Sequence, residues 1–507
     1  MDSLLSLFIG QYVADLKRSL ALFAPELVLA IAFVLLVIVD LIFQKSKYIT
    51  GVVALLGFAV ATIFMIVSPA NTSFGFWQMY VFDPFSNFFK YIFLISGFAV
   101  VLISFFSNEL NKSDRTMGEY YTLILAMTLG MFVISSAGNL ILIYLALETM
   151  SLSSYVLAGY TKEIKRASEA SLKYVIYGAL ASGLMIYGIS ILYGLTGTLS
   201  LFQINAFLVQ YQGPVFPLVV ASLLVLVGFG YKISAVPFHF WTPDVYEGAP
   251  VAITAYLSVA SKAAGFAVFM RFLKAGFIDP STASEQVWAV VSSIDWKFIV
   301  AVLSVLSMTI GNLVALWQTN VKRMLAYSSI AHAGYMLMGV TVMTEGGYLA
   351  VMIYFFTYLL MNFGAFYVVQ LIANEIGSEE LDDYNGLGYR SPLLGTAMAI
   401  FLVSLTGLPP TAGFVGKLYI FQAVINSNMI WLAVIGVLNS VVSLAYYAKV
   451  FRNMWLRGVD SNSEPLKYSI YAQLLVYAFA IPTLYYGIFW SPLVFWAKSS
   501  VLMFIGK

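Results

Sequence analysis

Apolar residues run along this chain in long blocks separated by short polar stretches, and the blocks have the length of membrane-crossing helices. A helix needs about 20 apolar residues to cross the hydrocarbon layer, and on that scale the chain predicts about fourteen spans. They fall at 20–43, 50–68, 84–106, 119–135, 138–160, 168–194, 214–247, 250–273, 297–317, 322–342, 347–373, 391–424, 429–456 and 470–496. Lys17 and Arg18 precede a first block that is longer than the apolar core of a secretory signal and lacks a small-residue cleavage site. It reads as the first span, with residues 1–16 as a short interfacial helix ahead of it.

The polar stretches carry an orientation. Odd-numbered loops hold Lys45 and Lys47, then Lys112 and Arg115, then Lys162, Lys165 and Arg166, and later Lys322 and Arg323, Arg390, Arg452, Arg457 and Lys467. Even-numbered loops such as 69–82 and 195–213 have almost no Lys or Arg; Lys274 and Lys297 are the main exceptions. This alternation is the positive-inside signature, and a missed span would smear it out. It places the odd loops in the cytoplasm and both termini outside.

Two blocks break mid-membrane. The first reads Gly228-Phe-Gly-Tyr-Lys232-Ile-Ser-Ala-Val-Pro237-Phe-His239-Phe-Trp241-Thr-Pro243-Asp244, the second Leu405-Thr-Gly407-Leu-Pro409-Pro410-Thr-Ala-Gly413-Phe-Val-Gly416-Lys417. Proline removes a helix donor and clashes with the preceding turn. Unwound backbone at that depth is tolerated only beside protein or a wet cavity. The breaks fall in spans 7 and 12, the fourth helix of spans 4–8 and the fourth of spans 9–13. Five is odd, so the two five-helix units are inverted relative to each other, which is a transporter signature. The expected organisation is an all-α integral membrane protein, with 20–118 holding three N-terminal spans, 119–273 and 297–456 the two repeats, and 470–496 the last span.

Composition agrees and narrows the chemistry. Of 507 residues, 61% are hydrophobic and 10% charged, against roughly 25% charged in soluble domains. A net charge of +2 gives no hint of a nucleic-acid partner. Cysteine is absent, which excludes thiolate-held iron–sulfur clusters and Cys-type zinc sites in this chain. Two histidines leave little scope for haem or metal, and there is no phosphate-binding lysine loop or GxGxxG fingerprint.

Few ionisable side chains fall inside the apolar blocks, where each costs at least about 2.5–3.5 kcal/mol. Glu148 is in span 5, Lys173 in the first turns of span 6, Lys232 at the break of span 7, Lys262 in the middle of span 8, His332 in span 10 and Lys417 at the break of span 12; His239 is in the loop of span 7. A salt bridge that ties helices together would explain one lysine, but one carboxylate against several lysines leaves excess buried positive charge. Lysines held where their charge is costly can take up and release a proton. Simpler roles exist for some: Lys173 near a helix end can extend to the surface, His332 can be a hydrogen-bonded core residue, and His239 can cap freed backbone.

These motifs resemble the antiporter-like membrane subunits of complex I, the NADH:quinone oxidoreductase, and the related multisubunit cation/proton antiporters. The resemblance is carried by the run from Lys232 to Ala249-Pro250, by Gly407-Leu-Pro-Pro410 with Gly413-Phe-Val-Gly-Lys417, by Glu148 with the serines after it, and by Lys322-Arg323-Met-Leu-Ala-Tyr-Ser-Ser-Ile-Ala-His332. It covers nearly the whole chain. Within the family the chain is most similar to N-type members, since Lys417 stands where M-type members carry glutamate and no long lateral helix follows. The resemblance implies a proton relay in which Glu148 modulates Lys232, Lys262 is the central element, Lys417 faces the exit, and His239, His332 and Lys173 are further polar sites. It also implies that NAD, FMN, iron–sulfur clusters and quinone belong to partner subunits of a hetero-oligomer in a bacterial plasma membrane. The alternative is a subunit of an Mrp-type cation/proton antiporter, in which Glu148 serves a cation site.

Overall fold

Every apolar block is helical, because backbone polar groups in hydrocarbon must be satisfied within their own segment. The computed structural model describes residues 2–43, 46–68, 72–111, 117–279, 281, 288–291, 294–458 and 465–502, with backbone alone for 2–9, 47 and 502. Lys45, Lys112 and Arg115, used in the loop-charge reading, lie outside the described residues.

The chain opens with α1 (Asp2–Leu22), α2 (Ala24–Ile42) and α3 (Lys47–Val67), followed by a short hairpin of β1 (Ser73–Gly75) and β2 (Tyr80–Phe82). Next come α4 (Pro84–Phe105), α5 (Asn108–Asn111), α6 (Gly118–Ser135), α7 (Leu140–Ala158), α8 (Lys165–Thr196) and α9 (Leu201–Val209). The first broken block is α10 (Val215–Ile233) with α11 (Trp241–Gly248). The eighth block is α12 (Val251–Tyr256) and α13 (Lys262–Phe277), joined by a π-helical turn at Leu257–Ser261. Then follow α14 (Trp296–Ala315), α15 (Val321–Thr341), α16 (Glu345–Ile376) and the single turn α17 (Leu387–Arg390). The second broken block is α18 (Pro392–Thr406) with α19 (Ala412–Asn426), and α20 (Ile430–Leu456), α21 (Ile470–Ile488) and α22 (Ser491–Leu502) end the chain.

Eleven of the described helices are long and apolar enough to cross a membrane, twelve when the bent pair at the C-terminus is taken as one span. The expectation of about fourteen differs at two blocks. α15 carries too many polar positions to stand out by composition, and the break divides 391–424 into helices of 15 residues each. Two boundaries also differ. α1 runs on to Leu22 and the first span starts at Ala24, where Pro25 sits in the first turn, a position that does not need its missing N–H. The last block bends by 83° ahead of Ser491–Val501, where Pro492 cannot continue the preceding helix.

Burial grades the helices from rim to centre. Only 28% of the apolar window of α2 is buried, whereas all of Val251–Phe277 is. The outer faces of α2 and α3 present Leu41, Ile66 and Val67 to lipid. α14 and α15 approach closely through small residues, as membrane helices do: a Cβ on Gly334 would lie 2.5 Å from the Met308 backbone nitrogen. That contact fixes the height of the segment of α15 that bears His332.

Candidate functional site

The first break supplies its own hydrogen-bond partners. Ser234 adopts a left-handed conformation with φ 61° after α10, and the backbone N–H of Val236 donates to Ser307 Oγ of α14 at 2.9 Å. Trp241 Nε1 donates to the Tyr231 carbonyl at 3.0 Å and Thr242 Oγ1 to Ser234 Oγ at 2.8 Å. Lys232, one residue before the end of α10, is fully buried, and its Nζ donates to Ser151 Oγ of α7 at 3.1 Å. Glu148 sits one turn earlier on α7, partly buried, with Oε1 lacking a hydrogen-bond partner among the described residues. It lies within electrostatic reach of Lys232, but the two form no ion pair.

Lys262 stands directly after the π-turn, a helical irregularity frequent at functional sites. Its Nζ donates to both the carbonyl and the hydroxyl of Ser329 on α15, at 3.0 and 2.7 Å. The same helix then carries Ser328, His332 and Tyr335 into the row. Ser328 Oγ and Tyr447 Oη are 2.5 Å apart, Tyr447 Oη is 3.2 Å from His332 Nε2, and His332 Nδ1 is 2.7 Å from Tyr354 Oη. Lys417 closes the row beneath the second break. Its Nζ donates to the Thr406 carbonyl at 2.7 Å and to Ser440 Oγ at 3.2 Å, and lies 4.5 Å from the centre of the Tyr335 ring. Gly407 is required there twice over: φ is +88°, and a Cβ would come 2.6 Å from Lys417 Cδ.

Five of the seven residues singled out from sequence thus lie along one row: Lys232, Lys262, His332 and Lys417 are buried, and Glu148, partly buried, stands beside Lys232. His239 is buried at the first break within electrostatic reach of Lys262. Its Nδ1 has no hydrogen-bond partner among the described residues, while the ring interacts with the backbone of Pro237 inside the break, in keeping with a capping role. Lys173 lies elsewhere. About 38% exposed, it pairs with Glu169 and Asp244 at 2.8 and 2.6 Å, and Asp244 also accepts from Arg323. It belongs to a rim network of ion pairs, as a lysine near a helix end does.

Two fully buried ion pairs lie apart from this row and leave its excess of buried cations unchanged, since each adds one cation and one carboxylate. Lys90 of α4 meets Glu26 of α2 at 2.8 Å, with Tyr80 Oη bonded to both. Arg271 of α13 grips Asp83 through two 2.9 Å bonds and also donates to the Ser135 carbonyl at 3.1 Å. Glu26, Lys90 and Arg271 stand inside apolar blocks, and that was the available signal. Nothing in the chain told that their partners would be so close.

A row of buried lysines and a histidine, threaded beneath two broken helices, defines an ion-translocating class of membrane protein. Residues 137–443 match the family described as NADH:quinone oxidoreductase/Mrp antiporter, TM, and the chain belongs to it. It is 48% identical to the NADH-quinone oxidoreductase subunit N of Chlorobium chlorochromatii (strain CaD3), over 98% of this chain and 97% of that one. A chain of respiratory complex I from Thermus thermophilus with bound aureothin is 31% identical, with a TM-score of 0.77, covering 94% of this chain and 100% of that one. A chain of the Mrp complex from Dietzia sp. DQ12-45-1b, 21% identical, shares the fold at a TM-score of 0.80, over 95% and 97% of the two chains.

Proposed function

We propose that this chain is a proton-translocating membrane subunit of an NADH:quinone oxidoreductase, passing protons along Glu148, Lys232, Lys262, His332 and Lys417. One observation carries the reading: three buried lysines donate to hydroxyl and carbonyl oxygens and none of them forms an ion pair. A neutral partner accepts a hydrogen bond from an ammonium without pinning its charge, so the proton can leave. Ser329, Ser328, Tyr447 and His332 bridge from Lys262 toward Lys417, and their hydroxyl and imidazole groups both donate and accept. Lys173 is peripheral to this path, and His239 flanks it beside Lys262.

Redox chemistry with NAD, FMN, iron–sulfur clusters and quinone is assigned to partner subunits, as in the resemblance to complex I; the chain has no cysteine for a cluster and no GxGxxG fingerprint for a dinucleotide. The loop charges favour a bacterial plasma membrane orientation with both termini outside, and the paired breaks favour residues 119–273 and 297–456 as inverted repeats. The Mrp-type reading is weaker because a sodium ion wants oxygen ligands, whereas the row is built mainly of lysines.

The test exchanges Lys262 and Lys417 in the native complex. Lys→Met keeps approximate volume, removes the titrating group and spares the burial of an ammonium, so assembly persists. Proton pumping per assembled complex falls by about tenfold or more. Lys→Arg also fails, because a guanidinium does not release its proton. Pumping sustained by Arg at both sites, with Met abolishing assembly, refutes the relay.

A further inference from the structure

The far end of the row carries a charge with no carboxylate to meet it. Lys417 is buried, yet α15, α18, α19, α20 and α21 contain no Asp or Glu. The carboxylates of α16, Glu345 and Glu375, stand at its two ends. Lys232 has Glu148 within electrostatic reach, whereas Lys417 has no acid so placed. Its ammonium donates to Ser440 Oγ and to the carbonyl of Thr406, the last residue of α18, where the helix dipole is negative. The remaining partner is aromatic. Nζ lies over the Tyr335 ring, 4.5 Å from its centre.

Two features set this ring apart from ordinary packing. The first is the direction of its hydroxyl. Tyr335 Oη accepts from Asn312 Nδ2 of α14 at 3.2 Å and makes no hydrogen bond with Lys417 among the described residues. A tyrosine placed to pass a proton would offer its oxygen to the ammonium; this one offers its face. The second is how firmly that direction is held. Asn312 is buried, donates also to Asn439 Oδ1 at 3.3 Å and accepts from Tyr446 Oη at 3.0 Å. Next to the ring, Gly334 packs so tightly on the Met308 backbone that α15 cannot draw it away from α14. The other row lysines have no face as close. Lys262 Nζ is 5.8 Å from the Tyr246 ring centre and Lys232 Nζ 6.0 Å from that of Tyr174, near the outer limit of about 6 Å for such a contact.

We propose that the face of Tyr335, aimed by Asn312, stands in for a carboxylate at Lys417 and holds its charged form without trapping the proton. The proposal rests on the transport reading above and gives Tyr335 a part in which it conducts nothing itself. A ring attracts a cation through its quadrupole, most strongly where water is excluded, and forms no ion pair with it. The other titratable groups around Lys417 are His332 of α15, within electrostatic reach, and Tyr354 of α16, against Gly416. α18 and α21 bring no charged side chain, and Lys449 and Arg452 of α20 lie more than two turns beyond Ser440. As pH rises the ammonium gives up its proton, and the ring delays that loss.

The test places phenylalanine with none, one, two or three ring fluorines at position 335 of the assembled complex. Fluorine drains the ring face stepwise and leaves its shape nearly unchanged. Proton pumping per complex is followed from pH 6 to pH 9. Tyr335→Phe keeps the face and loses only the Asn312 bond, so the alkaline limb of the profile is expected to move little. Each fluorine is expected to move that limb to lower pH, by about one pH unit in all, with the rate at pH 6 within about twofold of the native rate. Tyr335→Leu removes the face and is expected to move it at least as far; if that variant does not assemble, the fluorinated rings still decide. An alkaline limb that stays in place across the fluorinated series overturns the proposal. Lys417→Met in the same vesicles separates the two ideas: unaltered pumping there sinks the transport reading itself, whereas lost pumping with an unresponsive fluorinated series sinks only the part given to Tyr335.

Discussion

Lys262 opens α13 and Arg271 lies near its end, both fully buried, yet their surroundings are opposite in kind. Lys262 reaches a serine hydroxyl and a backbone carbonyl. Arg271 reaches a carboxylate through two parallel bonds. A desolvated cation held by a carboxylate keeps its charge, and its geometry is over-determined; one held by neutral oxygens is free to exchange its proton. The same division separates Lys232 and Lys417 from Lys90. Buried charge in this chain is therefore sorted into fixed pairs that fasten α2, α4 and α13 together and unpaired lysines that lie along the row.

The largest effect should come from breaking a fixed pair. Arg271→Met strands Asp83 in the core and should cost about 3–5 kcal/mol, read as a lower unfolding temperature or lost assembly. Adding Asp83→Asn should recover much of it. Normal stability of the single variant would erase the distinction drawn here. A subtler change converts one kind of site into the other. Ser329→Asp sets a carboxylate against Lys262 and should hold its proton, lowering pumping about tenfold while the complex still assembles. Undiminished pumping in that variant would mean that neutral partners are irrelevant. The smallest effect is expected at Glu148, which acts on Lys232 from a distance. Glu148→Gln should reduce pumping by about three- to tenfold and Glu148→Asp by less, measured per assembled complex. Any titration observed there belongs to the coupled groups and not to one residue.

The helices and both breaks could be read from sequence because they are local: apolar runs of fixed length, and prolines where a helix would otherwise continue. Lys232, Lys262 and Lys417 were legible for the same reason, as charges inside apolar runs. The partners were not. Asp83 and Arg271 are 188 residues apart, and no local rule links an N-cap residue on one helix to a guanidinium on another. Glu26 and Lys90 stand inside apolar blocks as Lys262 does, but no local rule pairs a residue of α2 with one of α4. Nor did periodicity reveal that α15 aligns Ser328, Ser329, His332 and Tyr335 toward α13, α16, α19 and α20, since a helix buried all round has no polar face to betray its orientation.

The π-turn at Leu257–Ser261 has a consequence for phase. Each residue advances an α-helix by about 100°, so the same residues wound as uninterrupted α-helix would present Lys262 and Arg271 in the wrong directions relative to what precedes them. Upstream, Thr254 is fixed to the Tyr246 carbonyl and Tyr256 to Thr128. Downstream, Lys262 must meet Ser329 and Arg271 must meet Asp83. The widened turn absorbs one surplus residue and thereby lets two segments with independent angular demands share a single axis, much as a vernier lets two scales of different origin be read together.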